Sequence, residues 1–97
     1  MATVNKAARG KHRWIGFQVS DSDISRTKCE QMLSKSLLEI SWRLFDFKIV
    51  DGAHRGILKV PLEEYEKTLS LINSNESLNT LTSSGKIRLV RQRLSLK

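Results

Sequence analysis

The spacing of apolar residues predicts an α+β fold with a single domain. Along the 97 residues, apolar residues recur at every second position in some segments and at helical spacing in others. The predicted order of elements is strand, helix, strand, strand, helix, strand, helix. The connections are too short to separate two domains. This order is typical of ferredoxin-like, RNA-recognition-like sandwiches, in which two helices pack on one face of a four-stranded antiparallel sheet. We expect a basic N-terminal arm over residues 1–10 and one domain over 11–97, which includes an appended basic helix over 84–97.

The first strand is predicted over residues 13–19. Ile15, Phe17 and Val19 alternate along it and therefore share one face. Trp14 falls on the opposite face. One face of this strand should pack in the core, and the other face must be covered by other groups.

Two helices are predicted between the strands. The first runs from about residue 25 to residue 41, and Ser25 suits its N-cap because the hydroxyl can accept a backbone N–H of the first turn. The second begins at Pro61, whose missing N–H costs nothing at the first helical position. It ends at the Asn-Ser-Asn segment over 73–75.

The remaining strands are predicted as a hairpin and a short final strand. Phe45, Phe47 and Ile49 alternate, and this stripe is expected in the core. An Asp-Gly turn then leads to a partner strand over 56–60. A weaker alternation over 78–82 predicts the fourth strand.

Positive charge is concentrated at the two ends of the chain. Residues 1–13 hold four Lys/Arg and the last fourteen residues hold five, and neither segment contains an acid. The segment 14–83 holds eight Lys/Arg with all ten acids, so the ends account for the net charge of +7. A near-neutral body with basic ends predicts a polyanion-binding surface. Nucleic acid is expected rather than a membrane, because no apolar run is long enough to span one.

The last segment, residues 84–97, is predicted to be a basic amphipathic helix. Ile87, Val90 and Leu94 recur at helical spacing, so this stripe should dock on the core while the basic side chains point outward. The Ser-Gly pair at its start offers a hydroxyl and free backbone N–H groups at the positive end of the helix dipole, where an anion is favoured. The alternative is a solvated surface helix without a ligand.

Phosphate contacts are predicted for the basic side chains of both ends and for the Ser-Gly pair. Arginine suits this role because its planar fork can bridge two phosphate oxygens. The predicted RNA-binding residues are Lys6, Arg9, Lys11, Arg13, Ser84, Gly85, Lys86, Arg88, Arg91 and Arg93.

Five segments in a fixed order carry a family resemblance. They are the strand at 11–19 (KHRWIGFQV), a capped helix over 29–40, a strand at 55–60 (RGILKV) leading to a helix with Tyr65, a strand with Thr80 and Leu81, and the SGKI start of the last helix at 84–87. This ordered set resembles the archaeal and eukaryotic ribonuclease P protein component 2 family, whose first strand has the pattern K-x-R-Y-I-x-F-x-V. The chain departs from the family in a short connection after the first helix and in Lys86, which replaces a small residue.

The resemblance implies a protein subunit of ribonuclease P, which removes the 5′ leader from precursor tRNA. In that family the RNA is the catalyst and binds the magnesium ions. The protein pairs with a TIM-barrel-like subunit, and the pair supports the catalytic domain of the RNA. The implied partners are therefore the catalytic RNA, the TIM-barrel-like subunit and, indirectly, precursor tRNA. The compact length favours a cytoplasmic, archaeal-like protein over a longer nuclear one.

No catalytic residue, metal ligand or cofactor site is expected in the chain itself, and Mg²⁺ is expected on the partner RNA. General acid–base chemistry needs a positioned His or carboxylate in a pocket, and a domain of this size has little room for one. The single cysteine, Cys29, excludes an internal disulfide and is expected in the core. Together with His12 and His54 it matches no recognised zinc spacing.

The two tryptophans, Trp14 and Trp42, are predicted as contacts with a protein partner. The sheet face opposite the helices must be covered or remain apolar and wet, and a protein laid across it is preferred over stacked bases. Two other classes of function stay open. One is a stand-alone RNA-binding protein of the RNA-recognition or ribosomal type, although the aromatic-rich strand signature of that class is missing. The other is a protein–protein adaptor.

Overall fold

The computed structural model describes residues 11–20 and 23–96, so the predicted arm over 1–10 lies outside the described residues. The elements in chain order are β1 (His12–Val19), α1 (Arg26–Ser36), β2 (Arg43–Val50), β3 (Ala53–Pro61), a 3₁₀ turn (Leu62–Glu64), α2 (Tyr65–Asn73), β4 (Leu78–Ser84) and α3 (Ile87–Arg93). The four strands form one sheet in the order β2-β3-β1-β4, and every neighbouring pair is antiparallel. The predicted fold class is confirmed.

The main core lies between one face of the sheet and the helices α1 and α2. Ile15, Phe17 and Val19 of β1 are fully buried there, as the alternation predicted, and Leu33 of α1 and Ile72 of α2 pack in the same cluster. Ser25 caps α1 by accepting the Lys28 backbone N–H at 3.1 Å. Burying side chains of this size stabilises the fold by about 1.5–3 kcal/mol each.

The opposite face of the sheet is partly covered by the chain's own last helix. Val90 of α3 and Leu94, the C-cap residue of this helix, are buried in a second cluster with Ile57 of β3 and with Leu96. The close approach depends on Gly16, because a Cβ there would lie 2.7 Å from Leu94 Cδ1. The predicted docking stripe is therefore confirmed. The sequence left this face to be covered by other groups or to remain wet, and α3 covers its centre.

The predicted core stripe on β2 is confirmed for Phe47 but wrong for Phe45 and Ile49, and a β-bulge in the strand displaces Phe45. The pairing register between β2 and β3 shifts between Leu44 and Asp46. Phe45 therefore lies on the α3 face, in edge-to-face contact with Trp14 at 4.8 Å between ring centroids. Phe47 still packs against the main core, whereas Ile49 is 63% exposed. A bulge inserts one residue and so reverses the alternation on which the prediction depended.

The helices are shorter than the sequence predicted. The first ends at Ser36, because Leu37 leaves helical geometry at φ −116° and ψ 51° while remaining buried. Pro61 ends β3 and precedes the 3₁₀ turn, so the second helix starts at Tyr65. The last helix starts at Ile87, because β4 extends through Ser84.

Candidate nucleic-acid interface

The predicted RNA-binding residues fall into two separate groups. Lys6 and Arg9 lie outside the described residues. At the end of the sheet where β1 begins and β3 and β4 end lie Lys11, Arg13, Ser84, Gly85 and Lys86. The remaining three, Arg88, Arg91 and Arg93, belong to α3.

Lys11, Arg13 and Gly85 of the first group line a depression of about 470 Å³, which we call the open basic end. Strand pairing builds it, because Trp14 on β1 is opposite Ser84 of β4 on one side and Lys59 of β3 on the other. The residues that line it are Lys11, His12, Arg13, Trp14, Lys59, Leu62 and Gly85. None of them is a carboxylate.

The cations of the open basic end are not neutralised by neighbouring acids. Among the described residues, no carboxylate lies within ion-pair distance of Lys11, Arg13 or Lys59. Such a site presents its full positive charge to a ligand. It suits closely spaced phosphates, because each added cation–phosphate contact releases bound counterions.

Arg13 is held in position by its neighbours. Its guanidinium lies 5.4 Å from the centre of the Tyr65 ring, and the Tyr65 hydroxyl bonds to the hydroxyl of Ser83 near the end of β4. Arg13 Nη1 is 3.7 Å from the position that a Cβ of Gly85 would occupy. Its Nε is buried and has no hydrogen-bond partner among the described residues.

Sequence reasoning missed two cations of this surface, Lys59 and Arg43. Pairing aligns Trp14, Lys59 and Arg43 across β1, β3 and β2. Lys59 Nζ lies 5.4 Å from the centre of the Trp14 ring. Both cations belong to the near-neutral middle of the chain, where a charge count cannot single them out. The signal that could have found Lys59 is the alternation of β3, which places it on the same face as Ile57.

A second, smaller depression of about 270 Å³ adjoins the open basic end. It is lined by His12, Ser41, Trp42, Arg43, Lys59, Val60 and Pro61, so it shares His12 and Lys59 with the larger one. The two tryptophans predicted as partner contacts, Trp14 and Trp42, thus border the same end of the molecule. Both are half-buried.

The arginines of α3 differ from one another in how they are engaged. Arg91 makes a bidentate ion pair with Asp46, with Nε–Oδ2 at 2.7 Å and Nη2–Oδ1 at 3.2 Å. The hydrogen bond to Asp46 raises the pKa of Arg91 above its usual value. Arg93 Nη1 donates to the Ser83 carbonyl at 3.0 Å and to Thr82 Oγ1 at 3.1 Å. Arg88 is exposed.

The Ser-Gly pair precedes α3 rather than capping it. Ser84 Oγ accepts the backbone N–H of Lys86 at 3.2 Å. Lys86 is the N-cap residue of the seven-residue helix and makes no side-chain capping bond. The predicted contribution of this pair therefore reduces to its place beside Arg13, at the edge of the open basic end.

The described part of the chain shows neither a metal-ligand cluster nor a reactive cysteine. Over residues 11–20 and 23–96, no set of three His, Cys, Asp or Glu side chains could hold a metal ion. Burial raises the pKa of the Cys29 thiol to about 11, and the nearby Glu30 charge adds to the rise. A thiol with this pKa stays protonated at neutral pH and is a poor nucleophile.

Comparison with known proteins adds no assignment. No protein-family model matches the chain, and a comparison with curated proteins finds no significant match. Within the described residues, none of the helices has the length and apolar character needed to cross a membrane. The ordered motifs of the sequence and the geometry of the open basic end remain as the observations from which a function can be inferred.

Proposed function

We propose that this chain is a non-catalytic, RNA-binding protein subunit of ribonuclease P. It would support the catalytic RNA in removing the 5′ leader from precursor tRNA. The observation that carries the proposal is the open basic end, where Lys11, Arg13 and Lys59 border one depression without a carboxylate. The resemblance of residues 11–97 to the component 2 family supplies the identity of the RNA.

The proposed mechanism is electrostatic. Folding a ribozyme brings phosphates together, and their mutual repulsion opposes the compact form. Cations fixed on a rigid sheet end lower this repulsion and so reduce the Mg²⁺ that the RNA needs. The magnesium ions and the bond cleavage belong to the RNA, and the TIM-barrel-like subunit would hold the chain in place. The complex would act in the cytoplasm, or in the nucleus of a eukaryotic cell.

The position of α3 disfavours the alternative of a stand-alone RNA-recognition module. Such modules stack bases on aromatic side chains in the middle of the sheet face opposite their helices. Here the centre of that face holds Gly16 and Ile57, and Val90 of α3 and the C-cap residue Leu94 pack directly over them. RNA would therefore have to bind at the end of the sheet.

Reconstitution tests the proposal. The full chain is added to the cognate catalytic RNA with the TIM-barrel-like subunit, and leader removal from precursor tRNA is measured against Mg²⁺ concentration. We expect the chain to lower the Mg²⁺ needed for half-maximal cleavage and to cleave nothing without the RNA. Stimulation at no Mg²⁺ concentration, or cleavage by the protein alone, contradicts the proposal.

A matched pair of variants locates the effect. Lys59→Gln removes one charge from the open basic end, and Lys28→Gln removes one from the exposed first turn of α1. Because α1 begins where β1 ends, Lys28 lies at the opposite end of the sheet. Only Lys59→Gln should raise the Mg²⁺ requirement. Equal effects of the two variants would mean that net charge, and not this surface, is responsible.

A further inference from the structure

We propose that the open basic end binds an unpaired RNA nucleotide, with the base against Trp42 in the smaller depression and an adjoining phosphate beside Lys59 in the larger one. This inference rests on the proposed function in taking RNA as the ligand. It adds which part of an RNA is recognised and which side chain recognises the base.

The shared walls of the two depressions are the geometric basis. His12 and Lys59 line both, so groups seated in the two depressions would be neighbours. The larger depression adds Lys11 and Arg13, which suit a phosphate. The smaller one adds an indole. A nucleotide matches this arrangement, because its flat aromatic base is linked to a neighbouring phosphate anion.

Trp42 is the better stacking platform of the two tryptophans. Trp14 is engaged within the protein, since Phe45 meets it edge-to-face and Lys59 Nζ lies over its ring. Trp42 is packed against the main core but still lines the smaller depression. An aromatic side chain already held by the core loses little conformational entropy when a base stacks on it.

The combination of an indole with cations favours unpaired over paired RNA. In a duplex the faces of the bases are covered by their neighbours, and only phosphates, sugars and groove edges are accessible. A surface of lysines and arginines alone would be sufficient to bind the phosphates of a duplex. Stacking on an aromatic side chain requires a base that is free to leave its helix.

Charge also favours RNA over a protein partner at this surface. Lysine is depleted at protein interfaces, whereas Lys11 and Lys59 line the depressions. A carboxylate touches the rim, where Glu64 accepts the backbone N–H of Ser41 at 3.2 Å. The lining itself contains no acid. The proposal therefore places RNA at Trp42, where the sequence predicted a contact with a protein partner.

Tryptophan fluorescence tests the proposal directly, because the chain has two tryptophans and both border this surface. The full chain is titrated with a short single-stranded RNA, an abasic strand of equal length, and a duplex of equal length. We expect quenching by the single strand and binding weaker by about 5- to 150-fold for the abasic strand, the range of one base–aromatic stack. Equal affinity for the abasic strand overturns the proposal.

Variants assign the effect to Trp42. In Trp14→Phe, where Trp42 is the remaining tryptophan, quenching should persist. Trp42→Leu keeps an apolar group against the core but removes the ring, and it should lose the preference for the single strand over the abasic strand. Trp42→Phe should keep part of it. An unchanged preference in a Trp42→Leu protein with a wild-type circular-dichroism spectrum contradicts the proposal, and so does quenching of Trp42 by the TIM-barrel-like subunit but not by RNA.

The two proposals fail in different ways. Normal base-dependent quenching without stimulation of ribonuclease P would contradict the proposed function and leave the nucleotide site standing. Stimulation of cleavage together with equal binding of the abasic strand would contradict the nucleotide site alone.

Discussion

The open basic end and the outer side of α3 both carry positive charge, yet their cations are in different situations. At the open basic end, Lys11, Arg13 and Lys59 meet no described carboxylate. On α3, Arg91 is paired with Asp46 and Arg93 is bonded to β4. Each region holds three Lys or Arg side chains, but tertiary contacts engage two of the three on α3. Charge that is already satisfied within the protein contributes less to binding a ligand.

The difference follows from how α3 is docked. Its apolar stripe must pack on Gly16 and Ile57, and this sets the rotation of the helix. The rotation then directs Arg91 toward β2 and Arg93 toward β4. The sheet end has no such cover, so its cations remain accessible.

The largest effect is expected from undocking α3. Leu94→Ala truncates a fully buried side chain of the second cluster and should lower the free energy of unfolding by about 2–5 kcal/mol. Urea denaturation followed by circular dichroism measures this loss. Leu37→Ala, a truncation in the main core, gives the matching value for the other face and should also fall in this range. A loss below about 1 kcal/mol for Leu94→Ala would mean that α3 is only loosely attached.

The next effect compares the two groups of cations directly. Changing Lys11, Arg13 and Lys59 together to Gln should weaken RNA binding about 100-fold, at roughly 1 kcal/mol for each contact. The slope of log K against log salt should become shallower by about two. Changing Arg88, Arg91 and Arg93 to Gln should have a smaller effect, because two of them are already bonded within the protein. Binding titrations over a range of salt concentrations measure both, and a larger loss for the α3 variant would reverse the comparison.

A smaller effect is expected from releasing Arg91. Asp46→Asn removes the charge that pairs with it, which should cost about 1 kcal/mol or less of stability and leave an unpaired guanidinium on α3. RNA affinity should then rise by about two- to threefold. Arg91→Gln is the matched control, since it breaks the same ion pair without freeing a cation and should show no gain. The same RNA titration measures the affinity of both variants. An unchanged affinity for Asp46→Asn would mean that α3 lies away from the RNA.

The smallest effect concerns Cys29, which lies in the main core on the other side of the sheet. Its pKa is raised by burial to about 11, from an ordinary value of 9.0. The folded protein therefore holds this proton more tightly than the unfolded chain. Below about pH 9 the thiol is protonated in both states and does not change the free energy of unfolding. Between pH 9 and 11 the thiol of the unfolded chain ionises first, and this lowers the free energy of unfolding.

The rate at which Cys29 reacts with a thiol reagent at pH 8 tests whether the main core is closed to solvent. Wild-type protein and the open-basic-end variants should react equally slowly, since neither exposes Cys29. Between pH 9 and 11, the free energy of unfolding should fall less in Cys29→Ala than in the wild-type protein, because the variant has no thiol to ionise. Fast labelling of the native protein would show that the core is open to solvent.

Local pattern predicted most of the fold. The alternation of Ile15, Phe17 and Val19 found the central strand, and the spacing of Val90 and Leu94 found a helix that docks on the sheet. Both signals are short-range, because strand and helix each repeat a fixed geometry along the chain. Element ends were less predictable, as at Leu37, where the chain leaves the helix although the residue stays buried.

The bulge at Phe45 shows what a local pattern cannot supply. Whether Phe45 faces the core or Trp14 depends on the register with β3, and that register is set by the best packing of two distant segments. The open basic end has the same origin. Lys59 and Trp42 belong to a segment whose net charge is near zero, and only strand pairing brings them beside Arg13.

From the sequence alone came the class of fold, the two basic ends and the docking stripe of the last helix, because each depends on residue types at fixed spacing. The tertiary structure decided which cations stay unpaired, how much of the second sheet face α3 covers, and that Trp14 and Trp42 border one surface. Those features depend on contacts between residues far apart in the chain, and the free energy of packing the whole domain selects among them.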